Sequence, residues 1–106
     1  MNVVDSSGWL EYFSKGENAD FFSAAIQDTE NLLVPTVAIY EVFKRMLIQL
    51  GEESALQAVG IMSLGIAVDL TQEIAVNAAK ISFDFKIAMA DSIILTTTRA
   101  HDATLW

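Results

Sequence analysis

The chain contains no cysteine, a single proline and only six Lys and Arg residues. Without cysteine there is no disulfide framework, no thiolate zinc site and no cysteine nucleophile. Six basic residues against fourteen acidic ones leave a formal charge of −8, which disfavours a protein that holds nucleic acid by broad phosphate neutralisation. A nuclease is not disfavoured, because carboxylates can hold divalent cations that then meet the phosphate. The same acidity is also what an ordinary soluble domain carries. Long hydrophobic runs are missing too. The longest charge-free stretch, residues 54–68, is interrupted by Gln57, Gly60, Ser63 and Gly65. It falls short of the roughly 18 apolar residues that a spanning helix needs, so no membrane contact is expected. Met1-Asn2-Val3-Val4-Asp5 lacks a basic stretch and meets a carboxylate at once, which does not fit a secretory signal. Disorder is excluded by 53% hydrophobic and only 19% charged residues. The expectation is one cytoplasmic domain over residues 1–106.

What is present is a regular alternation of short apolar runs and helical patterns. Val3-Val4 reads as a strand ending at Asp5, and Ser6-Ser7 can cap the helix that follows. Trp9, Leu10 and Phe13 recur at helical spacing up to a stop at Lys15-Gly16. A second helix over 19–28 presents Phe21, Phe22, Ala25 and Ile26 on its apolar face. Leu32-Leu33-Val34 reads as a buried strand ended by Pro35, with Thr36 as N-cap of a helix to about residue 50, closed by Gly51. Residues 53–63 suit another helix, Ile66-Ala67-Val68 a third strand, and Thr71 the cap of a helix with Ile74, Ala78, Ile81 and Phe85 on one face. Asp91 opens the last helix, and a further strand begins at Ala103. Strands alternating with helices describe an α/β three-layer sandwich around a central parallel sheet. Continuous apolar strands of this kind are expected to be covered on both faces. In open sheets of this type ligands bind beyond the carboxyl ends of the strands, where Asp5 falls by position.

Eleven of the fourteen acids suit polar helix faces, helix starts, turns or loops. Asp5, Glu41 and Asp91 are harder to place there. Asp5 ends a strand before Ser6-Ser7, where helix capping and function are about equally good explanations. Glu41 lies on its helix opposite Ile39, Val42, Phe43, Met46 and Leu50, beside Val37 and Ile48. A surface pair with Lys44 or Arg45 is worth only about 0.2–0.5 kcal/mol. The neighbouring Val37 and Ile48 imply that this face is partly covered. Asp91 stands between Ile87-Ala88-Met89-Ala90 and Ser92-Ile93-Ile94-Leu95, as a helix cap or a buried functional group. A strand end, a helix and a helix start could bring the three together at one sheet edge. Other residues say less. His101, the only histidine, reads as a solvated loop residue, Thr96-Thr97-Thr98 as helix packing, and the glycines form no phosphate loop.

Val3-Val4-Asp5-Ser6-Ser7-x-Trp9-Leu10, then Leu33-Val34-Pro35-Thr36-x4-Glu41-Val42, then Ala90-Asp91-Ser92-Ile93-Ile94 resemble the three opening motifs of PIN-domain ribonucleases. The likeness is strongest to the VapC-type toxins of toxin–antitoxin pairs and extends over essentially the whole chain. It implies a metal-dependent endoribonuclease, with RNA as substrate, a cognate antitoxin as inhibitor and a homodimer as the assembly. It implies further that Asp5, Glu41 and Asp91 are the catalytic and metal-site residues, with Ser6 or Ser7 near the scissile phosphate. Hard oxygen ligands suit Mg2+ or Mn2+. The family usually continues past the strand at Ala103 into a Thr-rich turn with a fourth acid, so the resemblance implies a C-terminally truncated domain. Asp102 precedes that strand and lies at the wrong sheet edge to substitute. The alternative from another class is a catalytically silent PIN-like module acting through protein contacts.

Overall fold

A computed structural model describes residues 1–106. In chain order the elements are β1 (Asn2–Val3), α1 (Ser6–Phe13), α2 (Ala19–Gln27), a single 3-10 turn (Thr29–Asn31), β2 (Leu32–Pro35), α3 (Thr36–Leu50), α4 (Glu52–Met62), β3 (Ile66–Val68), α5 (Gln72–Phe85), α6 (Met89–Ala100) and β4 (Thr104–Leu105). The four strands form one sheet in the order β3-β2-β1-β4, parallel throughout. Val3 pairs with Leu33 on one side and Leu105 on the other. The chain winds from β1 through β2 to β3, then returns through α5 and α6 to lay β4 on the far side of β1. The winding therefore reverses between β1 and β4. A reversal of this kind opens a crevice beyond the carboxyl ends of the strands, where ligands bind in open α/β sheets.

The core follows the apolar strands. Val3, Val4, Trp9, Leu32, Leu33, Val34, Val42, Met62 and Ile94 are buried together, and β2 is buried at every position, covered on both faces as expected. β3 is not. Ile66 is 46% exposed, because β3 is an outermost strand of the sheet. A smaller cluster of Ile74, Ala78 and Ile93 joins α5 to α6.

Several local expectations change. Thr36 makes no cap bond and is the first helical residue of α3, with Pro35 in the cap position. Proline's fixed φ already suits that place, and it is also the last residue of β2. Thr71 does cap α5, accepting from the Ile74 N–H at 3.2 Å. Gly51 closes α3 at φ 92°, a backbone shape that other residues adopt at a cost. Along α3 the buried line is Ala38, Val42 and Met46, while Leu50 is 56% exposed and Ile48 73%. The last turn of α3 is thus bare, and the face next to Glu41 is covered only near Val37. On α2 Phe21 is likewise exposed, resting on Phe22 and Trp106.

Candidate active site

Asp5 leaves the core at the end of β1 and takes the N-cap position of α1 in extended conformation. Its carboxylate accepts from the Ser7 N–H and from the Ser7 hydroxyl, each at 3.1 Å. Capping satisfies an amide that the first turn leaves free. The backbone is anchored too: the Asp5 N–H donates to the Trp106 carbonyl at 3.0 Å, which ties this corner to the end of β4. Ser6, the first residue of α1, is buried, and its hydroxyl donates to Glu41 Oε1 at 2.6 Å across to α3. Asp91 lies in the first turn of α6, exposed. It is not the cap, since Ala88 holds that position without a side-chain bond. Nor is it buried, and no side-chain hydrogen bond or ion pair engages it. Its one structural benefit is the helix dipole, which favours an anion at that end.

These three carboxylates line a single open pocket of about 330 Å3 together with Ser6, Ser7, Leu10 and Arg45. Asp5 and Asp91 also border an adjoining cavity with Ile94 and Leu105, at the β1–β4 reversal. Every residue singled out for the site from the sequence thus reaches the same place. Asp5 both caps α1 and lines this pocket. The Glu41 pair with Lys44 or Arg45 does not form, as the chain's ion pair is Lys80–Asp84. Arg45 is the pocket residue that sequence reasoning left on the surface. The signal was its spacing, because a residue four after Glu41 lies one turn along on the same face. The other candidates fall away. Thr97 and Thr98 are buried and bond back to Ile93 and Ile94, and His101 contacts the Thr97 carbonyl at 2.9 Å.

The donor chemistry fits a hard divalent cation, since three carboxylates face one pocket and none is neutralised by an ion pair. No three such side chains stand close enough to enclose an ion between them. Mg2+ keeps several waters and commonly binds through one or two carboxylates plus substrate phosphate, so it does not require a closed cage of three acids. Asp5, Glu41 and Asp91 are the residues that would hold such a cation.

The PIN domain family matches residues 3–105 of the chain. No curated protein matches it in sequence. Among solved structures, the chain shares its fold with Mycobacterium tuberculosis VapC20, a toxin that cleaves the sarcin–ricin loop. The TM-score is 0.83 at 11% identity, covering 97% of this chain and 85% of that one. A toxin–antitoxin complex from Klebsiella pneumoniae is similar at TM-score 0.77 and 20% identity, over 99% of this chain and 83% of that one. VapBC2 of Rickettsia felis, bound to a DNA fragment from its own promoter, is similar at TM-score 0.76 and 12% identity, over 98% and 84%.

Proposed function

The chain belongs to the PIN domain family, and from that premise we propose that it is a metal-dependent endoribonuclease, the toxin of a toxin–antitoxin pair acting in the cytoplasm. The observation that carries the reading is the meeting of Asp5, Glu41 and Asp91 in one pocket, none of them in an ion pair. They come from β1, α3 and α6, eighty-six residues apart in the chain at the extremes (91 − 5). Asp5's cap and the Ser6–Glu41 bond serve the fold, but they do not require three unpaired carboxylates from distant elements to meet in one pocket. Mg2+ or Mn2+ bound in that pocket would supply Lewis acidity toward a phosphoryl oxygen and a water activated for in-line attack. Asp5 and Asp91 would hold that cation, and Ser7 steadies Asp5. Ser6 holds Glu41 by a charge-assisted bond, which fixes the side chain facing the pocket. Ser7 is exposed and lines the same pocket, which would put its hydroxyl near a scissile phosphate.

The structural relatives include complexes of toxin with antitoxin, which supports an antitoxin as this chain's inhibitor. Homodimerisation is supported by bare apolar surface. Phe83 is 82% exposed and stands with Leu70, Ala79 and Met89 along a groove between α5 and α6. No helix is long and apolar enough to cross a membrane. The test is cleavage of single-stranded RNA with Mn2+, with EDTA, and by Asp5→Asn and Asp91→Asn. Changing a residue that merely supports a metal ligand costs about 10–100-fold, so losing a ligand should cost at least that. Cleavage that survives EDTA or both substitutions would point away from this pocket. No cleavage by the parent at all would favour a catalytically silent interaction module.

A further inference from the structure

With six basic residues in a chain of net charge −8, the position of each cation matters for an anionic substrate. Lys80 is taken up by Asp84 at 2.6 Å. Lys15, Lys86 and Arg99 lie past the end of α1, at the end of α5 and in the last turn of α6. The remaining two, Lys44 and Arg45, are consecutive on α3 and make no ion pair; Arg45 lines the acidic pocket and Lys44 the cavity beside it. Arg45 and Glu41 line that pocket and also a second open cavity of about 210 Å3, shared with Tyr40, Lys44 and Ile48. Helix geometry makes the two continuous. Residues 41 and 45 form one stripe along α3, and residues 40, 44 and 48 form the next. Tyr40 is 63% exposed, with Lys44 Nζ 5.9 Å from its ring centroid. An exposed aromatic ring beside free cations is the combination that holds single-stranded nucleic acid, by stacking and phosphate contact together.

We propose that Tyr40, Lys44 and Arg45 form a nucleotide subsite flanking the acidic pocket. Arg45 and Lys44 take a backbone phosphate next to the scissile one, and Tyr40 stacks against the base. The inference rests on the nuclease reading and adds where the RNA strand runs once it leaves the acids. Three carboxylates repel a polyanion, and an adjacent pair of cations offsets that repulsion along the path of the strand. Stacking requires a base free of its own helix, so the subsite takes single strands rather than duplex. Stacking also tolerates every base, so the subsite contributes affinity and not sequence choice.

The test is fluorescence anisotropy of a labelled, unstructured short oligoribonucleotide with the Asp91→Asn chain in Mg2+, which the nuclease reading expects to bind without cutting. In that background Arg45→Ala should weaken binding about tenfold and reduce the slope of log Kd against log salt by about 0.7, one phosphate contact. Tyr40→Leu should weaken binding about fivefold or more, while Tyr40→Phe keeps the ring and stays within about twofold. An unchanged affinity and salt slope in Arg45→Ala overturns the subsite. So do equal affinities for Tyr40→Leu and Tyr40→Phe, or an Asp91→Asn chain that binds no RNA. A change of oligomeric state in Arg45→Ala at unaltered RNA affinity also overturns it, in favour of a protein contact. The nuclease reading fails separately, if the parent shows no Mn2+-dependent cleavage while these binding differences persist.

Discussion

The Ser6 hydroxyl is buried and spends its proton on Glu41 Oε1, which makes this pair the part of the pocket most sensitive to a single atom. Ser6→Ala should lower RNA cleavage about 10–100-fold through a misplaced carboxylate. A circular dichroism melt should register only about 1.5–3 kcal/mol of lost stability, the scale of one hydrogen bond to a charged group. Cleavage unchanged by Ser6→Ala would mean that Glu41 needs no holding. Thr96 presents the opposite case. Its hydroxyl is buried on α6 with no partner, while Thr97 and Thr98 beside it bond to the helix backbone. Thr96→Val replaces an unpaired hydroxyl by a methyl of similar shape, so stability should rise by about 1 kcal/mol. A drop measured by urea unfolding would show that the hydroxyl has a partner after all. At this scale the acids were readable, since Asp5, Glu41 and Asp91 each break an apolar context. Arg45 was not, because a basic residue on a helix looks the same whether it faces a site or bulk water.

Element boundaries followed the apolar periodicity closely, yet capping did not, and α3 and α5 show why. Both begin after a threonine-bearing turn in the sequence, but Thr71 bonds the free amide of Ile74 and Thr36 bonds nothing. Pro35 settles the difference by starting α3 one residue early, directly from the strand. Thr71→Ala should therefore cost about 1 kcal/mol and Thr36→Ala a small fraction of it. Equal losses in thermal melts would contradict the cap assignment. Between α4 and β3, a Cβ on Gly65 would lie 2.8 Å from Val34 Cγ2 and 3.0 Å from the Leu32 carbonyl oxygen. The backbone oxygen cannot move aside cheaply, so Gly65→Ala should destabilise by about 1–3 kcal/mol. Side-chain periodicity is blind to such contacts. It also overstated burial at Leu50 and Ile66, because an apolar run does not reveal whether the sheet continues on both sides or a helix overhangs it.

Across the whole molecule, the alternating pattern was enough to read a parallel α/β sheet, while the strand order was not. The reversal between β1 and β4 emerges only when the chain closes, and it is what brings residue 91 back beside residue 5. Phe83, Phe85 and Met89 are left bare, with Phe83 and Met89 along one groove. Exposed apolar surface of this extent seeks a partner, so light scattering should show a dimer that Phe83→Glu turns into a monomer. A parent that stays monomeric from micromolar to near-millimolar concentration would contradict that. The central claim, that the closed fold assembles a cation site from Asp5, Glu41 and Asp91, is tested most directly by melting the chain with and without Mn2+. A cation bound only to the folded state adds RT ln(1 + [L]/Kd), about 2.7 kcal/mol at a hundredfold excess. For a domain of this size that raises the melting temperature by roughly 10 °C or more. Asn caps a helix as well as Asp, so without metal Asp5→Asn should melt no lower than the parent, and Asp91→Asn should do the same through relieved repulsion. The account predicts a large Mn2+ shift in the parent and almost none in the two variants. Equal shifts in all three proteins would remove Asp5 and Asp91 from the site and contradict the nuclease reading with them.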